Sequence, residues 1–408
     1  MEQQSSHPAD RYVAILLMLS FFLPMHVQVL VLFPGCAYFV YRTIKDNQTT
    51  PRSNYLAALS LGVLYILYLF APFFIPAAHL QSANSLRETR VGYLLLPLVF
   101  AAIGQQKLKA IFSQLLYFVY FSVGICLLAN AWFVVHFALS PGGFKGVNHV
   151  TYRIFFEELT QIHPTYISMY LVFSIGILLT NAARLNRTIK YILFYTLVVL
   201  LLPLLAKSPL LALGVIMLHA AWLKRKELIR YKCLFLGMIA VMAASYLFIP
   251  FVSQRANEMA GITASVKQNV TDNSIHERKM ILEADLDMIK RYWLWGCGPG
   301  KVRYILRIKY LFYSLYYGRD VGAFDPHNEY FYHWLSFGLT GIILFLVSLF
   351  MHFWSAISRR QYLYLYLLLT MCITFFTESV CATQRGVVLW AFFTSLLYFY
   401  NKPAELEE

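Results

Sequence analysis

The chain has 408 residues, 59% of them hydrophobic and 13% charged, against roughly 25% charged in an ordinary soluble domain. With a mean hydropathy of +0.58, this composition excludes a soluble globular enzyme and predicts an all-α polytopic membrane protein. The net charge of +14 does not call for nucleic acid, because basic membrane proteins gather Lys and Arg in loops held in the cytoplasm.

A spanning helix needs about 20 apolar residues. Apolar runs bounded by charge, Pro or Gly predict about twelve spans, near 12–23, 25–41, 55–75, 91–104, 108–139, 164–183, 188–206, 208–223, 231–252, 328–354, 361–377 and 386–400. The organisation expected is therefore nine transmembrane helices in 1–252, a long loop over 253–327, and three helices with a tail in 328–408. Only Pro24 divides the first two spans, and Lys207 lies in an almost loopless hairpin before the eighth. Basic residues fill alternate loops: Arg42, Lys45 and Arg52, then Lys107 and Lys109, then Arg184, Arg187 and Lys190, then Lys224 to Lys232, then Arg359 and Arg360. Together with Arg11 and Lys402, they place both termini in the cytoplasm and the long loop outside.

Within that loop Leu282, Leu286, Ile289 and Trp293 recur at helical spacing among Glu283, Asp285, Asp287 and Lys290. The pattern predicts an amphipathic helix over Glu277 to Trp293, with that apolar stripe laid on the membrane domain. Gly296, Gly298, Pro299 and Gly300 then end it in a turn. Six cysteines are too few for a disulfide scaffold. Cys36, Cys126, Cys233 and Cys372 lie in apolar runs, whereas Cys297 and Cys381 lie in polar segments, and spacing does not decide whether those two pair.

Ionisable groups near membrane depth are costly, so they are candidates for function. His163, Lys207, Arg255, Arg278, His327, Glu378 and Arg385 come from different loops or span ends, and the topology puts them all on the outer face. For Glu378 and Arg385, simple pairing with each other is an equally good account. In Asp325-Pro326-His327-Asn328, Asp325 suits an N-cap and Pro326 a first helical turn, which places His327 at the mouth of the tenth span. The helix dipole there disfavours imidazolium, and a neutral His can act as a general base; it can equally be a hydrogen-bonded interface residue. Gly338 and Gly341 follow about three turns later, roughly under the histidine, where they would let a helix or a lipid approach.

Arg278 stands four residues before Leu282, on the face expected to meet the membrane domain. With Arg255 and Lys207 it offers three cations that suit either a diphosphate or anionic lipid headgroups. No metal or nucleotide motif is present: His-Glu-x-x-His, paired aspartates and a Walker loop are all missing from the sequence. An enzyme of this kind needs no cofactor from those classes, and its donor must arrive activated and embedded in the membrane.

The spacing His327-Asn328, nine residues, Gly338-Leu339-Thr340-Gly341 resembles the His-Asn/Ser/Gln, nine, Gly-x-x-Gly/Thr/Tyr pattern of the bacterial O-antigen ligase family. The likeness extends to the twelve expected spans and the single long loop. It includes the loop's order of an early arginine (Arg255), a second arginine opening an amphipathic helix (Arg278), and a Gly-x-Gly-Pro-Gly turn (Gly296 to Gly300). His163-Pro164-Thr165-Tyr166 is similar to a segment common in relatives. The resemblance implies an enzyme of the bacterial inner membrane with its site facing the periplasm. It would move a glycan from undecaprenyl diphosphate to a sugar hydroxyl of the lipid A-core, inverting the anomeric centre without metal or nucleotide. Carried over by position, His327 is the base, Arg255 and Arg278 hold the diphosphate, and Asn328, His163, Gly338 and Gly341 support the site. Relatives often have Ser-Arg where this chain has Lys207-Ser208-Pro209, which makes Lys207 a third phosphate ligand without arginine's fork. An O-antigen or exopolysaccharide polymerase of the same superfamily is the alternative. A polysaccharide flippase is a third reading, opposed by the lack of an inverted repeat and of a charged midplane site.

Overall fold

The computed structural model describes residues 7–71, 79–144, 147–180, 182, 185–223, 225, 236–240, 243–244, 247, 253, 274–317 and 325–400. Among these residues every regular element is helical. The chain runs through α1 (Pro8–Ser20), α2 (Met25–Lys45), α3 (Arg52–Leu61), α4 (Val63–Phe70), α5 (Leu80–Arg90), α6 (Gly92–Ala101), α7 (Gln105–Phe112) and α8 (Leu115–Leu139). It continues through α9 (His149–Thr160), α10 (Pro164–Leu179), α11 (Arg187–Leu201), α12 (Lys207–Leu223), α13 (Ser274–Tyr292), α14 (Val302–Tyr317), α15 (Glu329–Ser358), α16 (Tyr362–Phe375) and α17 (Gln384–Phe399). Short 3₁₀ turns occupy Pro299–Lys301 and Val380–Ala382.

By length and composition, Met25–Lys45, Gln105–Leu139 and Glu329–Ser358 can each cross a bilayer. Counting the bent pairs α3–α4 and α9–α10 as single spans raises the number among the described residues to five. These helices make the chain a membrane-type all-α protein, and among the described residues three to five of the twelve expected spans are long and apolar enough to cross a bilayer. Several predicted spans are present as shorter helices, such as α12 and α16. Most of the span expected near 231–252, and Arg255 beyond it, lie outside the described residues.

The fold divides into two compact units. The first comprises 1–39, 109–269 and 365–373. Its centre is α10, which is apolar on all sides and is buried at every residue from Pro164 to Leu179 except Tyr166, as a helix without a polar face must be. Phe22, Phe118 and Tyr170 pack ring to ring there, with centroids 5.1 to 5.5 Å apart. Ahead of α10 the chain turns by 80°, where Gln161 takes a left-handed backbone (φ 54°) and Pro164 opens the new helix.

The second unit comprises 40–108, 270–364 and 374–408. Here α17 lies along α6, with Phe100 and Phe392 in edge contact at 5.0 Å. Its loop portion packs α13 and α14 into one apolar cluster with Tyr332 and Leu335 of α15.

The helix predicted over 277–293 is present, but a different face is buried. Met280, Ile281, Ala284, Asp285, Met288 and Ile289 turn inward, while Leu282, Leu286 and Trp293 are exposed. The apolar residues of α13 surround more than half the helix, and of the expected stripe only Ile289 is on the buried side. Packing against α14 selected the other face.

Candidate functional site

The region around His327 is built by the start of α15. The cap is not Asp325, as the sequence suggests, but Asn328, whose side chain accepts a hydrogen bond from Phe331 N at 3.0 Å. Asp325 instead receives both arms of Arg303 at 2.6 and 2.7 Å. That leaves His327 just outside the helix, in the left-handed backbone region at φ 46°.

Three consecutive residues there reach three points of one distant segment. His327 Nδ1 lies 3.1 Å from Glu378 Oε2, Asn328 Nδ2 donates to Phe376 O at 3.3 Å, and Glu329 Oε2 accepts from Cys381 N at 2.9 Å. Glu378 thus meets His327, a partner that its place in the sequence does not suggest. A carboxylate on Nδ1 favours the tautomer that carries its hydrogen there, which gives Nε2 the basic lone pair.

Beneath this lies a buried polar group that the sequence reading missed. Arg90, fully buried, donates to Tyr68 Oη and is sandwiched over the Tyr68 and Tyr332 rings at 4.7 and 4.3 Å. Its other nitrogen is 3.8 Å from Glu329 Oε1, and His333 Nε2 is 3.2 Å from the same oxygen, close but without hydrogen-bond alignment. The available signal was Glu329 itself, a charge at the apolar start of a span and next to the His-Asn pair.

The glycines have a different role from the one expected. At Gly338 (φ 61°, ψ −148°) α15 kinks, and the break frees carbonyls that the Gly-rich turn then satisfies. Cys297 N donates to Leu335 O at 2.7 Å, Gly298 N to Ser336 O at 3.1 Å, and Leu339 N to Leu294 O at 3.1 Å. A Cβ on Gly338 would sit 2.2 Å from Leu294 O, and one on Gly296 would sit 2.6 Å from Gly338 N. What approaches is thus backbone of the loop itself rather than another helix or a lipid. Gly341 meets His333 O in the same tight bend.

Cys297 and Cys381 are both free thiols, and burial pushes the Cys297 thiol up to about 12. His163 is the N-cap of α10, its Nδ1 accepting from Thr165 N at 3.3 Å. Lys207 is the first residue of α12, and Arg278 is a position on α13. His163 and Lys207 belong to the first unit, whereas Arg278, His327, Asn328, Gly338 and Gly341 belong to the second. Among the described residues no cluster of three or more His, Cys, Asp or Glu could hold a metal ion.

A family model described as O-Antigen ligase matches residues 192–346, a stretch that includes α13, the Gly-rich turn, His327 and the Gly338 kink. Over that stretch the chain is similar to the O-antigen ligase family. No curated protein matches the chain. The resemblance drawn from the His-Asn, nine, Gly-x-x-Gly spacing therefore holds at the level of the O-antigen ligase and polymerase superfamily. The match also makes glycan and lipid substrates and a bacterial membrane setting the coarse expectation for the chain.

Proposed function

We propose that the protein is a glycosyltransferase of the ligase type, moving O-antigen or a similar glycan from undecaprenyl diphosphate to a hydroxyl of the lipid A-core. It acts at the periplasmic face of the inner membrane, with both termini cytoplasmic and about twelve spans around it. The observation that carries this reading is the contact of His327 with Glu378, which makes His327 a candidate base inside the matched family segment.

In the proposed step the acceptor hydroxyl gives its proton to His327 Nε2 while its oxygen attacks the anomeric carbon from the face opposite the diphosphate. The bond from that carbon to the diphosphate oxygen breaks, the diphosphate leaves with the electron pair, and the configuration inverts. Arg255, Arg278 and Lys207 are assigned to the diphosphate, whose developing charge cationic donors stabilise. Asn328 and the Gly338 and Gly341 bend hold the histidine's helix, and His163 supports the site from the start of α10. No metal or nucleotide enters this scheme.

The test is transfer by the purified protein in bilayer discs, given a lipid-diphosphate glycan and a lipid A-core acceptor. His327→Ala should lose about 10²- to 10⁴-fold in rate while still binding the donor. Transfer close to the unaltered rate would overturn the mechanism.

A further inference from the structure

Helix α14 is apolar on two opposite faces. Val302, Leu306 and Tyr310 are each 1% exposed and form one wall of the loop cluster. On the other side Ile308, Leu311, Phe312 and Leu315 stand at 38%, 54%, 65% and 82% exposure, at i, i+3, i+4 and i+7. Those intervals place the four in one stripe, with Arg307 and Lys309 roughly 100° to either side of its start. Arg307 is exposed, and Lys309 reaches sideways to Asp287. The helix carries no acidic residue. The turn leading into it exposes Trp293 and Trp295, the residue type that gathers at the boundary of a bilayer.

A water-facing helix of a loop does not keep four large apolar side chains in one exposed row. An apolar stripe bordered by cations on both margins is the pattern of a helix lying in the plane of a membrane surface. There the stripe enters the acyl region and the cationic heads reach back to phosphate. A second copy of the chain fits less well, because a two-fold contact through this stripe would set like charges side by side.

We propose that α14 is an interfacial helix whose outer stripe is immersed in a bilayer containing anionic phospholipid, with Arg307 at the level of the lipid phosphates. This ties the loop to the membrane surface through α14 and not only through its chain ends. The proposal does not depend on which glycan reaction the protein performs.

The experiment uses the full chain in bilayer discs of mixed zwitterionic and anionic phospholipid. The native cysteines are replaced by alanine, and a nitroxide is attached in turn at Ile308→Cys, Leu311→Cys, Phe312→Cys and Leu315→Cys. Power saturation should show all four labels more accessible to oxygen than to a water-soluble nickel chelate, and deeper than the lipid phosphates. Greater accessibility to the chelate would overturn the proposal by placing the stripe in water. Low accessibility to both relaxants would overturn it in favour of a protein contact. If the cysteine-free chain is not monodisperse, Leu315→Trp in the otherwise native protein gives the same answer. Its fluorescence should be quenched by brominated acyl chains beyond the level of the unaltered protein, and unchanged quenching counts against immersion.

Discussion

His327 is constrained twice, by a left-handed backbone that turns it out of the helix and by a carboxylate that fixes one ring nitrogen. If Glu378 sets the tautomer, Glu378→Gln should leave donor binding intact and lower the transfer rate about 10- to 1000-fold. Equal rates for the two proteins would reduce the contact to a structural one. Asp285 makes a different statement. It is buried, neither carboxyl oxygen has a hydrogen-bond partner, and burial, with the charge of Asp325 added, holds its carboxyl well above the usual carboxylate range. Because its folded-state pKa lies above its unfolded one, the stability it contributes is present at acid pH and is lost as pH rises toward the folded value. Asp285→Asn should therefore raise the melting temperature of the protein at pH 8 and change it much less at pH 4. The gain at pH 8 should be of the order of 1 to 3 kcal/mol, read by thermal unfolding in detergent. His327 and Asn328 were legible in the sequence because they form a contiguous motif. Glu378 was visible only as a charge, since nothing local links it to a histidine 51 residues away, and Arg90 lies farther still from Glu329.

The joint between the Gly-rich turn and α15 explains two motifs by one piece of geometry. Without a side chain at Gly338 or Gly296, the two backbones come close enough for three amide-to-carbonyl hydrogen bonds, which satisfy groups that the kink leaves open. Spacing revealed both glycine motifs, but it could not show that they bind each other, because a one-dimensional pattern carries no information about which distant backbone fills a gap. The same limit made the buried face of α13 come out wrong: apolar residues lie on both sides of that helix, and its neighbour α14 decides which side is covered. Gly338→Ala should be severely destabilising, since the added carbon meets a carbonyl oxygen and the positive φ disfavours any side chain. Gly124→Ala in α8 is the control. Nothing lies within 4 Å of its Cβ position, and alanine is the better helix former by about 1 kcal/mol. Yield of monodisperse protein after heating should collapse for the first variant and hold or improve for the second.

At the scale of the whole chain, composition alone identified a helical membrane protein, while hydropathy does not by itself separate a straight span from a bent pair such as α3–α4 or α9–α10. Which reaction the molecule performs depends on the acceptor. Ligase and polymerase draw on the same lipid diphosphate and can share the same base, so neither His327 nor the assigned cations distinguish them. A ligase must admit the lipid A-core, whereas a polymerase must admit a second lipid-linked glycan. Loss of a ligase stops the joining step after chains have grown, so long glycan should accumulate on undecaprenyl diphosphate while lipid A-core stays bare. Loss of a polymerase stops growth but leaves joining intact, so single repeat units should appear on the core. The expected outcome in a deletion strain is the first pattern, read by mass analysis of extracted glycolipids. Core capped with single units would assign the protein to chain growth, and the His327 chemistry would then act on a glycan hydroxyl instead of a core sugar.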